Sequence, residues 1–239
     1  MRWKNYRPVG IACFTILLLT LIHGFDELKA EEEIGEIVKF SGEIIISRNG
    51  REIAPVEKMP LFTGDTVITG NGWIFLTLGS HEIYAAPETA LLLDEYSMAA
   101  KSFTSRLFLE TGRVWARIVQ LIDRVINFEI ETPSALAGVR GTHYMVEYRK
   151  EHDITRVIVE AGTVEVSDRY DRRVTVGAGF ETCVSKESPP EPPTPVKEIP
   201  EIDLLVLKFG EPPGKEISEA AKAKDTEGPP SGEPPGKDK

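Results

Sequence analysis

The sequence predicts an all-β protein, an antiparallel β-sandwich of jelly-roll-like type, followed by a disordered Pro-rich C-terminal tail. Two observations carry the fold class: β-rich runs alternate polar and apolar residues at a period of two, and short turns of Gly, Asn and Asp divide them. Thirteen of the 20 glycines fall between Gly35 and Gly179, spacing the runs as in sandwiches and barrels. The third observation marks where the fold stops. Twelve of the 17 prolines lie beyond Ser188.

The strand-like runs take a definite order. Gly35–Phe40 and Glu43–Ser47 come first, bounded by Gly42 and by Asn49-Gly50. Asn-Gly favours a two-residue hairpin, since both central positions need positive φ. Thr66–Thr69, Trp73–Leu78 and His81–Ala85 follow, separated by Asn71-Gly72 and Gly79-Ser80. Later runs are Leu107–Leu109, Arg113–Val119, Phe128–Glu131, His143–Tyr148, Arg156–Glu160, Thr163–Ser167 and Arg173–Val176. Helical patterns are few: a turn within Leu121–Val125 and another within Pro87–Met98.

At about 150 residues per domain, 239 residues allow one large domain or two small ones. Composition narrows this to three parts: residues 1–30 as leader, 31–187 as one β domain, and 188–239 as linker and tail. Hydrophobic residues at 41% and charged residues at 28% are globular usage. A net charge of −10 leaves no basic footprint for phosphates, which excludes nucleic acid as partner.

Arg2, Lys4 and Arg7 precede an apolar run from Val9 to Ile22, and Leu28-Lys29-Ala30 precedes an acidic stretch. This is the order of a secretory signal peptide, with cleavage expected after Ala30. The run falls short of the ~20 residues that span a bilayer, which favours the signal peptide; the alternative is a short uncleaved membrane anchor, since a bilayer can thin around a short stretch. Either way the body is exported, to the periplasm or cell envelope, and the membrane is met only through this segment. With Cys13 in the leader, Cys183 is left alone and no internal disulfide is expected.

Thr132-Pro133-Ser134-Ala135-Leu136-Ala137-Gly138-Val139-Arg140-Gly141-Thr142 is the least generic stretch. Pro133 holds Thr132 extended, and Gly138 and Gly141 are expected at positive φ. Arg140 lies between them as a five-donor fork, suited to bracing the loop or to clasping a carboxylate. Together with Val159–Val166, Gly177-Ala178-Gly179, Leu61–Thr69 and Glu110–Trp115, this stretch resembles the FecR domain family over about residues 56–183. The resemblance implies a sandwich-like envelope domain. In the best-known members such a domain passes a signal from an outer-membrane receptor to a sigma factor through a cytoplasmic anti-sigma segment. Only eight residues precede the apolar run here, so that segment is not expected. The family brings no catalytic residues with it.

No catalytic constellation is visible. There is no nucleophile elbow, Walker loop or dinucleotide fingerprint, and His81, His143 and His152 lack zinc-type spacing. No enzyme activity, cofactor or resident metal is expected. Asp65, in Gly64-Asp65-Thr66, suits a turn cap better than a Ca²⁺ ligand. On the run from Arg113, residues Val114, Ala116 and Ile118 share one face while Arg113, Trp115 and Arg117 share the other. That second face either stacks a sugar or peptide ligand on Trp115, or is covered while its arginines pair with nearby carboxylates.

The tail opens with a stiff polyproline spacer, and Glu-Pro-Pro-Gly-Lys occurs twice, at 211–215 and 233–237. An apolar island at 202–209 interrupts it. Ile202, Leu204, Leu205, Val206 and Leu207 either dock on the body or add a strand to a partner. The expected function is a non-enzymatic envelope module that binds a protein or polymer. The alternatives are a regulator of transmembrane signalling acting through an uncleaved anchor and a membrane partner, and a glycan- or peptidoglycan-binding protein.

Overall fold

The structure, a computed structural model, describes residues 33–197 except Ala100, Ile122, Arg124 and Arg140. The leader, Arg140 and the island at 202–209 lie outside the described residues. Among the described residues all regular structure is strand, and no helix is long and apolar enough to cross a membrane.

Nine strands make up the first part: β1 Glu33–Ser41, β2 Ile44–Arg48, β3 Arg51–Ile53, β4 Pro60–Phe62, β5 Thr66–Thr69, β6 Trp73–Leu78, β7 His81–Ala85, β8 Ala90–Met98 and β9 Ser102–Arg117. Eight follow: β10 Val125–Glu131, β11 Leu136–Val139, β12 His143–Arg149, β13 Ile154–Ala161, β14 Thr163–Ser167, β15 Arg173–Gly177, β16 Phe180–Ser185 and β17 Thr194–Pro195.

Pairing sorts them into two sheets that share one strand. Sheet 1 runs β4-β1-β6-β7-β9-β12-β13-β16-β17. Sheet 2 runs β3-β2-β5-β8-β9-β10-β11-β14-β15. From β10 onward the chain lays one hairpin in a sheet, crosses to the other for the next, and returns beside its earlier hairpin. One pair departs from the expected antiparallel pattern. β9 and β10 are parallel, because β9 ends in sheet 1 and the chain re-enters sheet 2 beside its beginning.

The shared strand explains itself residue by residue. In its first half Phe103, Leu107 and Leu109 are buried, and in its second half Val114 and Ala116 are, followed by Ile118 just past its end. The inward set thus changes from odd to even positions between Leu109 and Val114. Gly112, at φ 95°, takes up the change. A Cβ there would stand 2.4 Å from Thr89 Oγ1 and 2.6 Å from the Glu88 carbonyl oxygen, so glycine alone fits. Leu107–Leu109 and Arg113–Val119, read separately in the sequence, are therefore one strand bent at a glycine corner.

The core between the sheets is apolar, with Tyr144, Phe103 and Phe128 its largest fully buried side chains. His81 joins it. Its ring lies 4.5 Å from that of Phe103, its Nδ1 accepts the Val119 N–H, and burial lowers its pKa to about 4.

One expectation is corrected and others gain detail. Pro87–Met98 holds strand β8 rather than a helical turn, because Leu91 and Leu93 turn inward at a period of two. Asn49-Gly50 forms the hairpin, with φ of 51° and 73°. Asn71-Gly72 is instead a crossover between sheets, where a Cβ on Gly72 would meet the Ser41 carbonyl oxygen at 2.2 Å. Asp65 is buried and held by Arg48, whose Nε and Nη2 each donate to a carboxylate oxygen at 2.7 Å. It also accepts the Phe62 N–H at 3.0 Å, so the turn-capping role comes with an ion pair.

Candidate functional site

The outward face of sheet 1 carries a second apolar cluster, separate from the core between the sheets. Alternation places one residue of each pair of neighbours outward, and the register aligns these residues directly across strands. Phe75 stands opposite Tyr84, Tyr84 opposite Trp115, Trp115 opposite Met145, and Met145 opposite Ile158. A row of apolar side chains therefore crosses five strands, with Trp73 and Ala86 beside it. The Trp73 and Tyr84 rings lie 5.9 Å apart at a tilt of 32°, and Tyr84 meets Trp115 edge-on at 5.5 Å.

Charged rows flank the apolar one. On one side Arg117 reaches Glu82 at 3.5 Å. On the other, Arg113 Nη2 donates to Glu147 at 2.6 Å and Arg149 donates to the second oxygen of the same carboxylate at 3.1 Å. These arginines hold Glu147 below its ordinary pKa against the desolvation that would raise it. Arg156 donates to Glu181 at 2.9 Å, at the edge where the row ends. The Arg113 guanidinium also lies 5.6 Å from the Trp115 ring.

This face is an outer surface of the sandwich, yet its centre is shut off from water. Trp115 is 2% exposed, and Met145 and Ile158 are fully buried. Val196, from the segment after β17, packs against the cluster. Three polar groups here lack hydrogen-bond partners: Trp115 Nε1, Arg113 Nε and the carboxylate of Glu160. Glu160 is the residue skipped in the β12–β13 bulge, and burial raises its pKa to about 7.

The sequence singled out Arg113, Trp115 and Arg117 here, and the structure places them together on one face. It leaves Trp115 covered rather than open to a ligand, with both arginines paired to carboxylates. Tyr84, Met145, Ile158 and Glu160 escaped the sequence reading. Their signal was present in Ile83–Ala86, Tyr144–Val146 and Val157–Val159, since unbroken apolar runs mark strands buried on both faces.

The motif stretch lies elsewhere. Thr132 and Pro133 open the β10–β11 turn. Thr132 Oγ1 accepts the Ala135 N–H at 2.9 Å and lies 2.6 Å from Thr155 Oγ1, while Ser134 Oγ is 2.7 Å from the same atom. Thr155 belongs to sheet 1, so this buried hydroxyl cluster ties the two sheets together. Gly138 and Val139 lie in β11 with ordinary strand φ, contrary to the expectation for Gly138, whose missing Cβ would have room. At Gly141, with φ 137°, a Cβ would stand 2.9 Å from Gln120 Cβ. Thr142 Oγ1 donates to the Thr163 carbonyl at 3.0 Å. Cys183 is half-buried, and desolvation raises its pKa, which suppresses the thiolate. Among the described residues no cluster of His, Cys, Asp or Glu is arranged to hold a metal ion.

No curated protein matches the chain. Three chains of solved structures do, and two are structures of a candidate anti-sigma factor from Parabacteroides distasonis. They share 15% and 16% identity with this chain at TM-scores of 0.45 and 0.44. Each alignment covers 54% of this chain and 57% of the other, so the chain matches little more than half of that protein's length. A family match is also found, to the family described as FecR protein, over residues 76–165. That span is shorter at both ends than the motif reading of 56–183, and it contains Tyr84, Arg113, Trp115, Met145 and Ile158. The resemblance read from the motifs holds on this segment: residues 76–165, which carry the centre of the outer face of sheet 1, are similar to the FecR protein family.

Proposed function

We propose that the chain is a non-enzymatic signalling module of the cell envelope that meets a protein partner through the outer face of sheet 1. The observation that carries this reading is the coincidence of the FecR-family segment with that face. The covered apolar row gives this face a firm base, and the exposed Arg117–Glu82 pair on its rim is placed where charges orient a protein partner. Export by the N-terminal segment supplies the compartment.

A photo-crosslinking residue at Arg117, on the rim, tests the reading in cells. The expected product is a cross-link to an envelope protein that weakens when Glu82 is changed to Lys. Capture of the same proteins from a control position, Thr175 on sheet 2, would remove the proposal. The second reading, regulation through an uncleaved anchor, is favoured by the apolar run from Val9 to Ile22. Mass spectrometry of the native protein separates the two, because an N-terminus near Glu31 ends the anchor version.

A further inference from the structure

An open sheet edge offers unpaired N–H and C=O groups to any passing strand. Among the described residues the two sheets end on four strands, and three of these edges are blunted. β3 has three residues, β4 has three and begins with Pro60, and β17 has two and ends with Pro195. β15 is different. It runs five residues, Arg173–Gly177, without proline, and among the described residues it is paired along one side only, to β14.

Which groups the free side shows follows from the register. The Asp168 N–H donates to the Arg172 carbonyl at 3.1 Å, one step beyond the Ser167–Arg173 pair. Backbone groups alternate along a strand, so Val174 and Val176 face β14 as Arg172 does, while Arg173, Thr175 and Gly177 face out from the edge. These three are spaced to pair with a copy of themselves. In an antiparallel pairing about a two-fold axis at Thr175, Thr175 meets Thr175 of the other copy and Arg173 meets Gly177. No like charges oppose each other, and Arg173 is already neutralised by Glu165 and Asp171, each at 2.6 Å. A Cβ on Gly177 would meet nothing within 4 Å, so there is room beside it for the other copy's arginine. The flanks agree. Tyr170, 59% exposed, and Phe180, 41% exposed, are the only exposed aromatic side chains among the described residues, and they lie three residues before and three after β15. The same axis brings Tyr170 of each copy to the end of the edge that carries Phe180 of the other.

We propose that two copies of this chain associate through β15, in antiparallel register about Thr175, so that sheet 2 continues from one copy into the other. The joint uses an edge of sheet 2 and does not depend on the signalling reading. A five-residue seam with two aromatics from each copy is a small interface, so the dimer forms reversibly, over about 1 to 100 µM.

Sedimentation velocity of the full chain tests the dimer. The expected result is a mass that climbs from one chain toward two across that range. Thr175→Pro removes an N–H that points away from β14, so the ladder within sheet 2 is kept. This variant is expected to stay monomeric throughout, with an unchanged circular dichroism spectrum. A second measurement decides the matter should that variant not fold. On a Cys13→Ser/Cys183→Ser background, Thr175→Cys is expected to yield a covalent dimer with a bis-methanethiosulfonate spanning about 5 Å. Ser97→Cys, on β8 and five strands from β15, is expected to yield none. A parent that stays monomeric up to about 100 µM overturns the proposal. So does a folded Thr175→Pro variant that still dimerises, a Thr175→Cys variant that is not captured, or equal capture from Ser97→Cys.

Discussion

Individual side chains in this molecule are held in place by opposed electrostatic demands. Arg48 lies over the Phe62 ring at 4.4 Å and neutralises an Asp65 that water does not reach. Arg48→Met leaves that carboxylate buried and unpaired, and urea denaturation is expected to show a loss of about 3 kcal/mol. Adding Asp65→Asn, which keeps an acceptor for the Phe62 N–H, is expected to recover at least half of the loss. Glu160 and His81 form a second opposed pair. Glu160 is held neutral with a pKa of about 7, so its contribution is full at acid pH and fades as pH rises from about 4.5 to 7. His81 is neutral with a pKa of about 4, so its contribution is present above pH 6.5 and fades as pH falls towards 4. Between those limits the two slopes oppose each other, each worth about 3 kcal/mol in all. Glu160→Gln removes one of them. Its stability is expected to climb from pH 4.5 to 6.5 where the parent is nearly flat, and identical profiles would contradict the assignment.

At the scale of the element, β9 decides the architecture. Among the described residues it is the one strand shared by both sheets, and its corner at Gly112 is cradled by Thr89, whose Oγ1 accepts the Arg113 N–H at 3.0 Å. Gly112→Ala brings a positive φ and a Cβ overlap together, and a loss of about 3 kcal/mol in denaturant unfolding is expected. Gly177→Ala is the matched control, since a Cβ there meets nothing within 4 Å, and it should be close to neutral. The corner was half legible. Gly112 reads as a breaker between two apolar runs, but only the Thr89 contact shows that the strand bends there without ending. Pro87–Met98 misled for a related reason. Leu91 to Leu93 are apolar in a row, and a run that short does not distinguish helix from strand until a neighbour pairs with it.

For the whole molecule, the sheets are joined by the shared strand, the apolar core and the hydroxyl cluster of Thr132, Ser134 and Thr155. Thr155→Val keeps the shape but removes the partner of the buried Ser134 hydroxyl on the opposite sheet, while Thr132 Oγ1 keeps its bonds to Ala135. Equilibrium unfolding is expected to register a loss of about 2 kcal/mol, against a few tenths for Thr175→Val on the outer surface. The Thr132-Pro133 motif thus gains a structural account that its sequence did not suggest, because Thr155 lies 23 residues away.

The amino-acid sequence by itself determined what local chemistry controls. Period-two alternation made strands, Asn49-Gly50 made a hairpin, and the resemblance to the FecR family lay in a contiguous run of motif. Tertiary structure alone decided which strands lie side by side, that β9 serves two sheets, and that Trp115 is covered where alternation had placed it on an outer face. The physical reason is that backbone hydrogen bonds are the same for every residue. Alternation marks two faces on a strand, but the cover on each face comes from segments distant in the chain.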